Sequence, residues 1–466
     1  MTFNLSNIFI FRFLKILNSR SNVHSLLAIS LNGIMSMSNK IQYQLKKLPL
    51  ISCALLSCLA FGQVHAVSND QVKHLVESEK KNYLNTLEAL VNIESGSKDL
   101  VGVNKIAKYV AEQLKMTGAE VSIVEAKDIY RMDDTPQQTG PMVKAVLKGK
   151  GSSKIMLIAH MDTVYLTGML KDQPFKMEGD KVFGLGILDD KQGVAAIIHT
   201  LDLLKKLNYQ DYGTITVLLN SDEEISSPGS RKLITETAQD QDVVLSFEGG
   251  GKDGSLRLAT SGIGAAYLEV HGKSAHAGVK PEAGINALTE LSHQILQLQD
   301  LSNPKTGLKL NWTVASAGKV RNVIPDLATA QADVRALQVK DFQQVERVLQ
   351  ERIKHKKLAD SEVKLKFEMR RPPLMANPQA KKLAEQAQLI YKNDFNLPMK
   401  VLAEATGGGT DAAFAGLNSK AAILEGMGLS GDGAHSNNAE YILVESIVPR
   451  LYLATKLIMD LSTAQK

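Results

Sequence analysis

Apolar residues recur along this 466-residue chain with two spacings, one typical of helices and the other of strands. Helical spacing, with apolar positions three or four residues apart, covers residues 71–93 and 104–116. Short apolar runs that are typical of buried strands follow, together with a further helical segment at 193–207. The predicted strands cover residues 120–124, 142–147, 155–159, 214–219 and 243–247. This alternation predicts a largely parallel sheet with helices on both faces.

The order of predicted elements changes within residues 263–371, where it becomes strand, helix, strand, strand, helix, strand. The strands are predicted at 265–270, 309–317, 327–335 and 363–369, and the helices at 282–298 and 340–355. This βαββαβ order is that of a ferredoxin-like domain. After two prolines the αβ pattern resumes, with helices at 378–392 and 446–461 and a strand at 421–425. We therefore predict an α/β protein whose larger domain, residues 67–262 and 372–466, is interrupted by an inserted domain at 263–371.

Residues 1–66 differ in kind from the rest of the chain. Two lysines precede an apolar run at 48–62, and the small residue Ala66 closes the segment. This succession is typical of a secretory signal peptide, and the apolar run is too short to span a membrane. Met37 is an alternative start of translation, and acylation at one of the leader cysteines is the alternative to cleavage after Ala66. We expect an exported protein, either periplasmic or secreted.

The positive charge of the chain belongs to this leader. The sequence holds 54 basic and 49 acidic side chains, and six of the basic ones but none of the acidic ones precede residue 67. Cleavage after Ala66 therefore changes the formal net charge from +5 to about −1. It also removes both cysteines, so the mature chain has neither a disulfide nor a thiolate ligand. A near-neutral chain gives no reason to expect a nucleic-acid partner, and we expect none.

Chemically active side chains follow three of the predicted strands, at the point where each strand ends. His160 and Asp162 follow one, Glu223 and Glu224 follow the next, and Glu248 follows the third. The carboxyl ends of parallel strands form the ligand-binding edge of an α/β sheet. Imidazole and carboxylate ligands without thiolate suit zinc. The pattern therefore predicts a metal site at this edge.

Asp189, just before the helix predicted at 193–207, is the candidate bridge between two ions. Two ions held roughly 3.5–4 Å apart can clamp a water, lower its pKa and polarise a carbonyl oxygen. Glu223 would then transfer a proton from this water to a leaving amine, and Asp162 would orient the imidazole of His160. Taken singly, each motif has a simpler interpretation. The spacing of His160 and Asp162 is common by chance, Asp189 and Asp190 could cap the helix, and the glutamates could be hydrated surface carboxylates.

Seven motifs point to one family. In this order and spacing, HMDTV, GLGILDDKQG, NSDEE, SFE, GKSAHAG, GGGTDAA and HSNNAEY resemble the di-zinc exopeptidases that include glutamate carboxypeptidases of the carboxypeptidase G type, acetylornithine deacetylases and succinyl-diaminopimelate desuccinylases. The similarity covers essentially the whole chain after residue 66 and is greatest to the carboxypeptidase G type. It implies the di-zinc exopeptidase fold, with the ferredoxin-like insert as a lid that also forms a homodimer. It implies two zinc ions per subunit, held by His160 and Glu248, by Glu224 and His435, and by Asp189 as the bridge.

The same resemblance assigns roles to residues around the metals. It implies that Glu223 is the acid/base and that Asp162 orients His160. His276 would reach the substrate carbonyl of the partner subunit, although an ordinary loop histidine is an equal interpretation. The positions matching family residues that bind substrate are Asn322, Arg335, Arg371 and Gly408. Because Arg370 and Arg371 are adjacent, either could be the matching arginine. The glycine-rich turn at Gly408 could also be an ordinary turn with no role in binding.

The resemblance implies a zinc-dependent carboxypeptidase that hydrolyses the amide bond to a C-terminal glutamate in folate-like or N-acyl-glutamate substrates. Its substrates would be small molecules or short peptides with a free C-terminal carboxylate, which arginine suits. An N-acyl amino acid deacylase or a dipeptidase of the same family is the alternative. A non-catalytic metal-binding protein is a further alternative, which the complete ligand set disfavours. Two positions depart from the family pattern, namely Gln192 in place of a glycine and Asn437 where an aspartate is common.

Overall fold

The computed structural model describes residues 67–436 and 439–463. The leader predicted at residues 1–66, with the alternative start at Met37, lies outside the described residues, and so does Asn437. Among the described residues, no helix has both the length and the apolar character needed to cross a membrane.

Among the described residues, seven helices lie close to the positions that apolar spacing predicts, and two further helices, Arg231–Ala238 and Ala412–Gly416, were not predicted. The first begins after Ser68, whose hydroxyl accepts a hydrogen bond from the backbone N–H of Gln71 while the Gln71 side chain accepts one from the Ser68 N–H. The helices are α1 Asn69–Val91, α2 Leu100–Met116, α3 Gln192–Lys206, α4 Arg231–Ala238, α5 Ala287–Leu298, α6 Val339–Arg352, α7 Pro378–Phe395, α8 Ala412–Gly416 and α9 Ile447–Thr463.

The strands of the described residues form three sheets of four or more strands and two two-stranded sheets. They are β1 Glu120–Val124, β2 Met142–Lys148, β3 Lys154–His160, β4 Lys176–Glu178, β5 Lys181–Phe183, β6 Thr214–Asn220, β7 Val243–Ser246, β8 Leu256–Arg257, β9 Gly262–His271, β10 Ala275–His276, β11 Lys309–Ala317, β12 Val323–Ile324, β13 Leu327–Ala336, β14 Glu362–Arg371, β15 Val401–Leu402, β16 Ala422–Leu424, β17 Gly431–Asp432 and β18 Tyr441–Leu443.

The larger sheet has six strands in the order β1-β2-β6-β3-β7-β16. Strands β6, β3, β7 and β16 pair in parallel, whereas β2 is antiparallel to both of its neighbours. Alternate residues of the central strands enter different cores. Leu157 packs in the core that α1, α2, α3 and α9 share, and Met156 packs in the core formed with α4 and α8. The prediction of a mostly parallel sheet covered on both faces is confirmed.

The insert has a four-stranded antiparallel sheet in the order β11-β13-β9-β14 and a separate hydrophobic core with α5 and α6. This is the ferredoxin-like arrangement, so the predicted fold class is confirmed. Helix α5 begins at Ala287 rather than at residue 282, because Asn286 caps it by accepting a hydrogen bond from Thr289 N. The chain enters and leaves the insert side by side, since Thr260 and Leu374 exchange two backbone hydrogen bonds of 3.2 Å.

A third sheet, in the order β17-β18-β5-β4, was not predicted. Its strands are two or three residues long, too short to show an alternating pattern in the sequence. It holds the loop that carries His435, between β17 and β18.

A buried polar cluster that includes none of the predicted metal residues joins α1 to α3. Glu79 is 2% exposed, and one of its oxygens lies 2.7 Å from His199 Nδ1 while the other contacts Lys206 Nζ. The hydrogen bond with His199 lowers the pKa of Glu79 from 4.5 to about 2, with help from Lys206 and against the effect of burial. The cluster therefore stabilises the packing of α1 on α3 while Glu79 is ionised.

We expect Glu79→Gln to lower the free energy of unfolding of the metal-free protein by up to about 3 kcal/mol near pH 7. Because the pKa is lowered in the folded state, this stabilisation is present above pH 4.5 and is lost as the pH falls towards 2. Urea unfolding at pH 7 and at pH 3 measures both effects. Glu88→Gln, an exposed change on the same helix, is the control, and a variant difference independent of pH would contradict the assignment.

Candidate metal centre

The three adjacent parallel strands β6, β3 and β7 deliver three of the five predicted ligands, His160, Glu224 and Glu248, to one edge of the sheet. His160 is the last residue of β3 and pairs in register with Asn220, the last residue of β6. Glu223 and Glu224 follow β6 in a short 3₁₀ turn, and Glu248 lies two residues beyond the end of β7. The side chains therefore converge because parallel strands end together.

The carboxylate of Asp189 lies between two imidazoles. Its Oδ1 is 2.9 Å from His160 Nε2, and its Oδ2 is 3.1 Å from His435 Nε2. His435 Nε2 is also 3.1 Å from Glu224 Oε2, and His160 Nε2 is 3.7 Å from Glu248 Oε1. The structure thus brings together all five residues predicted as ligands, with Asp189 shared by the two halves.

The unpaired atoms of this cluster fit a metal. Glu224 Oε1 and Asp190 Oδ2 are buried and have no hydrogen-bond partner, which is costly unless a cation satisfies them. His160, Asp189 and Glu224 each offer a ligand atom within 4.8 Å of the others, and so do His160, Asp190 and Glu248. The sequence suggested no metal role for Asp190, because its neighbour Asp189 accounted for the motif.

Burial and mutual repulsion shift the pKa values of the acidic groups. Burial raises the pKa of Glu223 to about 8 and that of Glu224 to about 7, and it raises the pKa of Glu248 well above its usual range. Burial alone would also raise the pKa of Asp189, but hydrogen bonds with His160 and His435 lower it. Hydrogen bonds to Asp189 and Glu224 raise the pKa of His435 to about 10. Ionising these carboxylates together is therefore unfavourable unless positive charge lies between them, and a divalent cation would supply that charge.

Asp162 makes hydrogen bonds to the side of the His160 ring that faces away from Asp189 and to the turn that carries Glu223 and Glu224. Its backbone carbonyl is 3.0 Å from His160 Nδ1 and its Oδ1 is 3.4 Å from the same nitrogen. Its carboxylate also accepts hydrogen bonds from the backbone N–H groups of Glu223 and Glu224, at 3.1 and 3.2 Å, and from the Ser97 hydroxyl at 2.7 Å. Asp162 thus holds both the His160 ring and the turn that carries the two glutamates.

Arg371 occupies a different position from the one expected of a free carboxylate receptor. It is 2% exposed, and its guanidinium donates to Glu223 Oε1, to the Glu223 backbone carbonyl at 2.7 Å and to Asp411 Oδ1 at 3.2 Å. It lines the cavity, but its contacts are with the acid/base candidate. Arg370, the alternative, binds Asp134 and the Tyr267 hydroxyl instead.

A cavity of about 770 Å³ lies in front of the cluster, between the larger sheet and the insert. Arg335 and Gly408 both line it. Arg335 makes two hydrogen bonds to Asp333, at 2.8 and 2.9 Å, and its Nη1 is 3.3 Å from the Gly407 carbonyl. His276 and Asn322 are exposed and are not among the described residues that line the cavity.

Gln192, the departure from the family pattern, is fully buried. Its amide nitrogen donates to Asp190 Oδ1 at 2.7 Å and to the Phe247 carbonyl at 2.9 Å, and its oxygen accepts from Leu429 N at 2.7 Å. The side chain therefore joins the loop of Asp190 to the residue before Glu248, a contact that a glycine could not make.

The carboxylate of Asp189 is shared between two pairs of an imidazole and a carboxylate, and a cavity lies in front of them. Together with the α/β domain and its lid, this arrangement is that of a metal-dependent hydrolase. Residues 156–460 match the model of peptidase family M20/M25/M40. The chain belongs to this family of metallopeptidases, as the resemblance implied.

Individual relatives agree with this assignment. Carboxypeptidase G2 of Pseudomonas sp. (strain RS-16) is 42% identical over 417 residues, which cover 89% of this chain and 98% of that protein. Succinyl-diaminopimelate desuccinylase of Rickettsia massiliae (strain Mtu5) is 25% identical over 75% of this chain and 94% of that one. The crystal structure of an M20 family metallo-carboxypeptidase from Sulfolobus solfataricus superposes with a TM-score of 0.66 at 14% identity, over 82% of this chain and 99% of that one. The last similarity concerns the fold.

Proposed function

We propose that this protein is a zinc-dependent carboxypeptidase that removes a C-terminal glutamate from folate-like or N-acyl-glutamate substrates. The observation that carries the proposal is Asp189, shared between His160 and His435 beside a cavity that Arg335 also lines. Similarity to carboxypeptidase G2 over most of both chains supports the substrate class. Similarity to a desuccinylase keeps an N-acyl amino acid deacylase as the second candidate.

We propose two zinc ions per subunit, one held by His160 and Glu248, the other by Glu224 and His435, with Asp189 between them. When bound, such ions lower the pKa of a water and polarise the scissile carbonyl. Glu223 accepts the proton of the attacking water and returns it to the leaving nitrogen as the carbon–nitrogen bond breaks. Arg371 and Asp162 hold Glu223 in place through its carboxylate and its backbone.

Arg335 is the proposed receptor for the free α-carboxylate of the substrate. It is partly exposed and lines the cavity together with Gly408, and its Nη1 donates a hydrogen bond of 3.3 Å to the Gly407 carbonyl in the same glycine-rich turn. Two guanidinium nitrogens bind Asp333, which fixes the plane of the group. The backbone at Gly408 is open, since a Cβ there would meet no atom within 4 Å, and this leaves room for substrate.

We propose that the lid also forms a homodimer and that the partner completes the site. Support comes from His276 and Asn322, which are exposed on the insert and do not line this subunit's cavity. Strand β11 is an edge of the insert sheet and is largely exposed, and an unpaired edge offers backbone groups to a second chain. We also propose export with cleavage after Ala66, which the signal-peptide pattern of the leader supports. We place the domain boundaries at residues 262/263 and 371/372.

The purified enzyme distinguishes the candidates when it is offered pteroyl-glutamate, N-acetyl amino acids and dipeptides. We expect release of glutamate from pteroyl-glutamate, its loss after treatment with a chelator and its recovery with zinc. Hydrolysis of acetyl amino acids alone would favour the deacylase. A zinc-loaded protein that hydrolyses none of these substrates would reject both.

We expect Arg335→Gln to lower kcat/KM for pteroyl-glutamate roughly 10- to 100-fold, mainly through KM, because a hydrogen bond between charged groups contributes about 1.5–3 kcal/mol. Steady-state kinetics measures the change. Arg347→Gln alters an exposed arginine of the insert and is the control. An unchanged KM would remove Arg335 from the proposed substrate contacts.

A further inference from the structure

Glu440, a carboxylate outside the proposed ligand set, is buried next to the metal cluster and does not face it. It is 3% exposed, and both of its oxygens are used by one loop. Its Oε1 accepts hydrogen bonds from the backbone N–H groups of Leu188 at 2.8 Å and Asp189 at 3.0 Å. Its Oε2 accepts from Gly186 N at 3.0 Å and from the Tyr165 hydroxyl at 2.6 Å. One side chain thus satisfies three backbone donors of the loop that carries Asp189.

That loop cannot satisfy these donors by itself. Asp189 has φ −124° and ψ 87°, outside helical geometry, and Gly186 has φ 66°. Because its backbone is irregular, the usual helical acceptors are missing for Gly186, Leu188 and Asp189 N–H. Buried N–H groups need a partner, and a carboxylate is a particularly good one.

Glu440 is itself held from the other side. It directly precedes β18, which pairs with β5 through Tyr441 and Phe183, and its own backbone carbonyl accepts from Gly184 N at 3.4 Å. The same segment carries His435 five residues earlier. One stretch of chain therefore supplies an imidazole to the cluster and also fixes the loop of the residue that this imidazole faces.

We propose that Glu440 is a positioning residue that sets the place of the Asp189 carboxylate between His160 and His435, and so sets the affinity for zinc. The inference rests on the proposed metal site. A ligand must be held within a few tenths of an ångström to serve two ions, and supporting residues of this kind change metal affinity by about 10- to 100-fold when they are removed.

The test uses the full chain, stripped of metal, and zinc titration against a chromophoric chelator. We expect Glu440→Gln, which keeps the size and one acceptor oxygen, to raise the zinc Kd about 10- to 100-fold. Tyr165→Phe removes one of the four hydrogen bonds to Glu440, together with a longer contact of 3.4 Å to the Ser436 carbonyl, and no charge, and it is expected to raise the Kd less. Activity of Glu440→Gln at saturating zinc should recover most of the wild-type kcat, because Glu440 touches neither substrate nor metal.

Glu445→Gln is the matched control, since it removes a nearby exposed carboxylate that makes no bond to the loop. A Kd for Glu440→Gln within about twofold of wild type would overturn the proposal. An equal rise in Glu445→Gln would overturn it too, since charge alone would then explain the effect. If Glu440→Gln does not fold, an unchanged Kd in Tyr165→Phe decides against the proposal and a raised one supports it. A wild-type chain that binds no zinc would instead reject the proposed function.

Discussion

Glu223→Gln is expected to lower kcat roughly 1,000-fold while the protein keeps its zinc. Glu223 adjoins the ligand Glu224 in sequence, but its carboxylate contacts Arg371 rather than an imidazole of the cluster. Glutamine keeps the shape of the side chain and can still accept a hydrogen bond from Arg371, but it cannot take a proton from water at neutral pH. The chemical step should therefore fail while substrate binding is preserved, so KM should change little.

Zinc per chain and steady-state kinetics are measured on the same preparation. Glu236→Gln changes an exposed glutamate on α4 and should behave as wild type. Hydrolysis at the wild-type rate by Glu223→Gln would show that another group transfers the proton. A parallel loss of zinc would show that Glu223 acts on the metals and not on the water.

Asp189→Asn should abolish both metal binding at full stoichiometry and turnover. The neutral amide replaces a carboxylate that lies 2.9 Å from His160 Nε2 and 3.1 Å from His435 Nε2. An amide has one oxygen, so it cannot offer an oxygen to each of two ions. We expect less than two zinc ions per chain and a loss of kcat/KM of roughly 1,000-fold or more, because activation of the water depends on the metals.

Elemental analysis and hydrolysis of pteroyl-glutamate measure the two effects. Asp172→Asn, at an exposed loop position, controls for the general effect of the substitution. Two zinc ions per chain in Asp189→Asn, together with normal turnover, would refute the shared-ligand arrangement.

Strand ends could be predicted from the sequence because they depend on local pattern and on one topological rule. The apolar runs that end at His160, Asn220 and Ser246 are long enough to read as strands, and parallel strands end at one edge. The order of elements in the insert was equally clear. Helix α5 was predicted five residues too early because the apolar pattern does not report the cap at Asn286.

The supporting contacts could not be predicted, because they join residues that are distant in sequence and carry no periodic signal. Nothing near Arg371 indicates that it binds Glu223, which lies 148 positions away. Glu440 likewise reads as an ordinary carboxylate beside a short strand, and only the folded chain brings it to the Asp189 loop. The buried amide of Gln192 was visible as an unusual residue but not as a bond to Asp190.

The chain enters and leaves the insert at the hydrogen-bonded pair Thr260 and Leu374, so the insert can be regarded as a separate module. An exchange of the whole segment between them has to match this pair of neighbouring backbone positions. It also has to keep the contacts of Arg371 with Glu223 and of Arg370 with Asp134, and a relative's insert that does so could be grafted there. All five proposed zinc ligands would stay with the host, whereas Arg335 would arrive with the graft. Substrate range and hydrolytic machinery can thus come from different proteins in such a chimaera. Arg371, close to the junction, must be retained in every chimaera because it contacts Glu223.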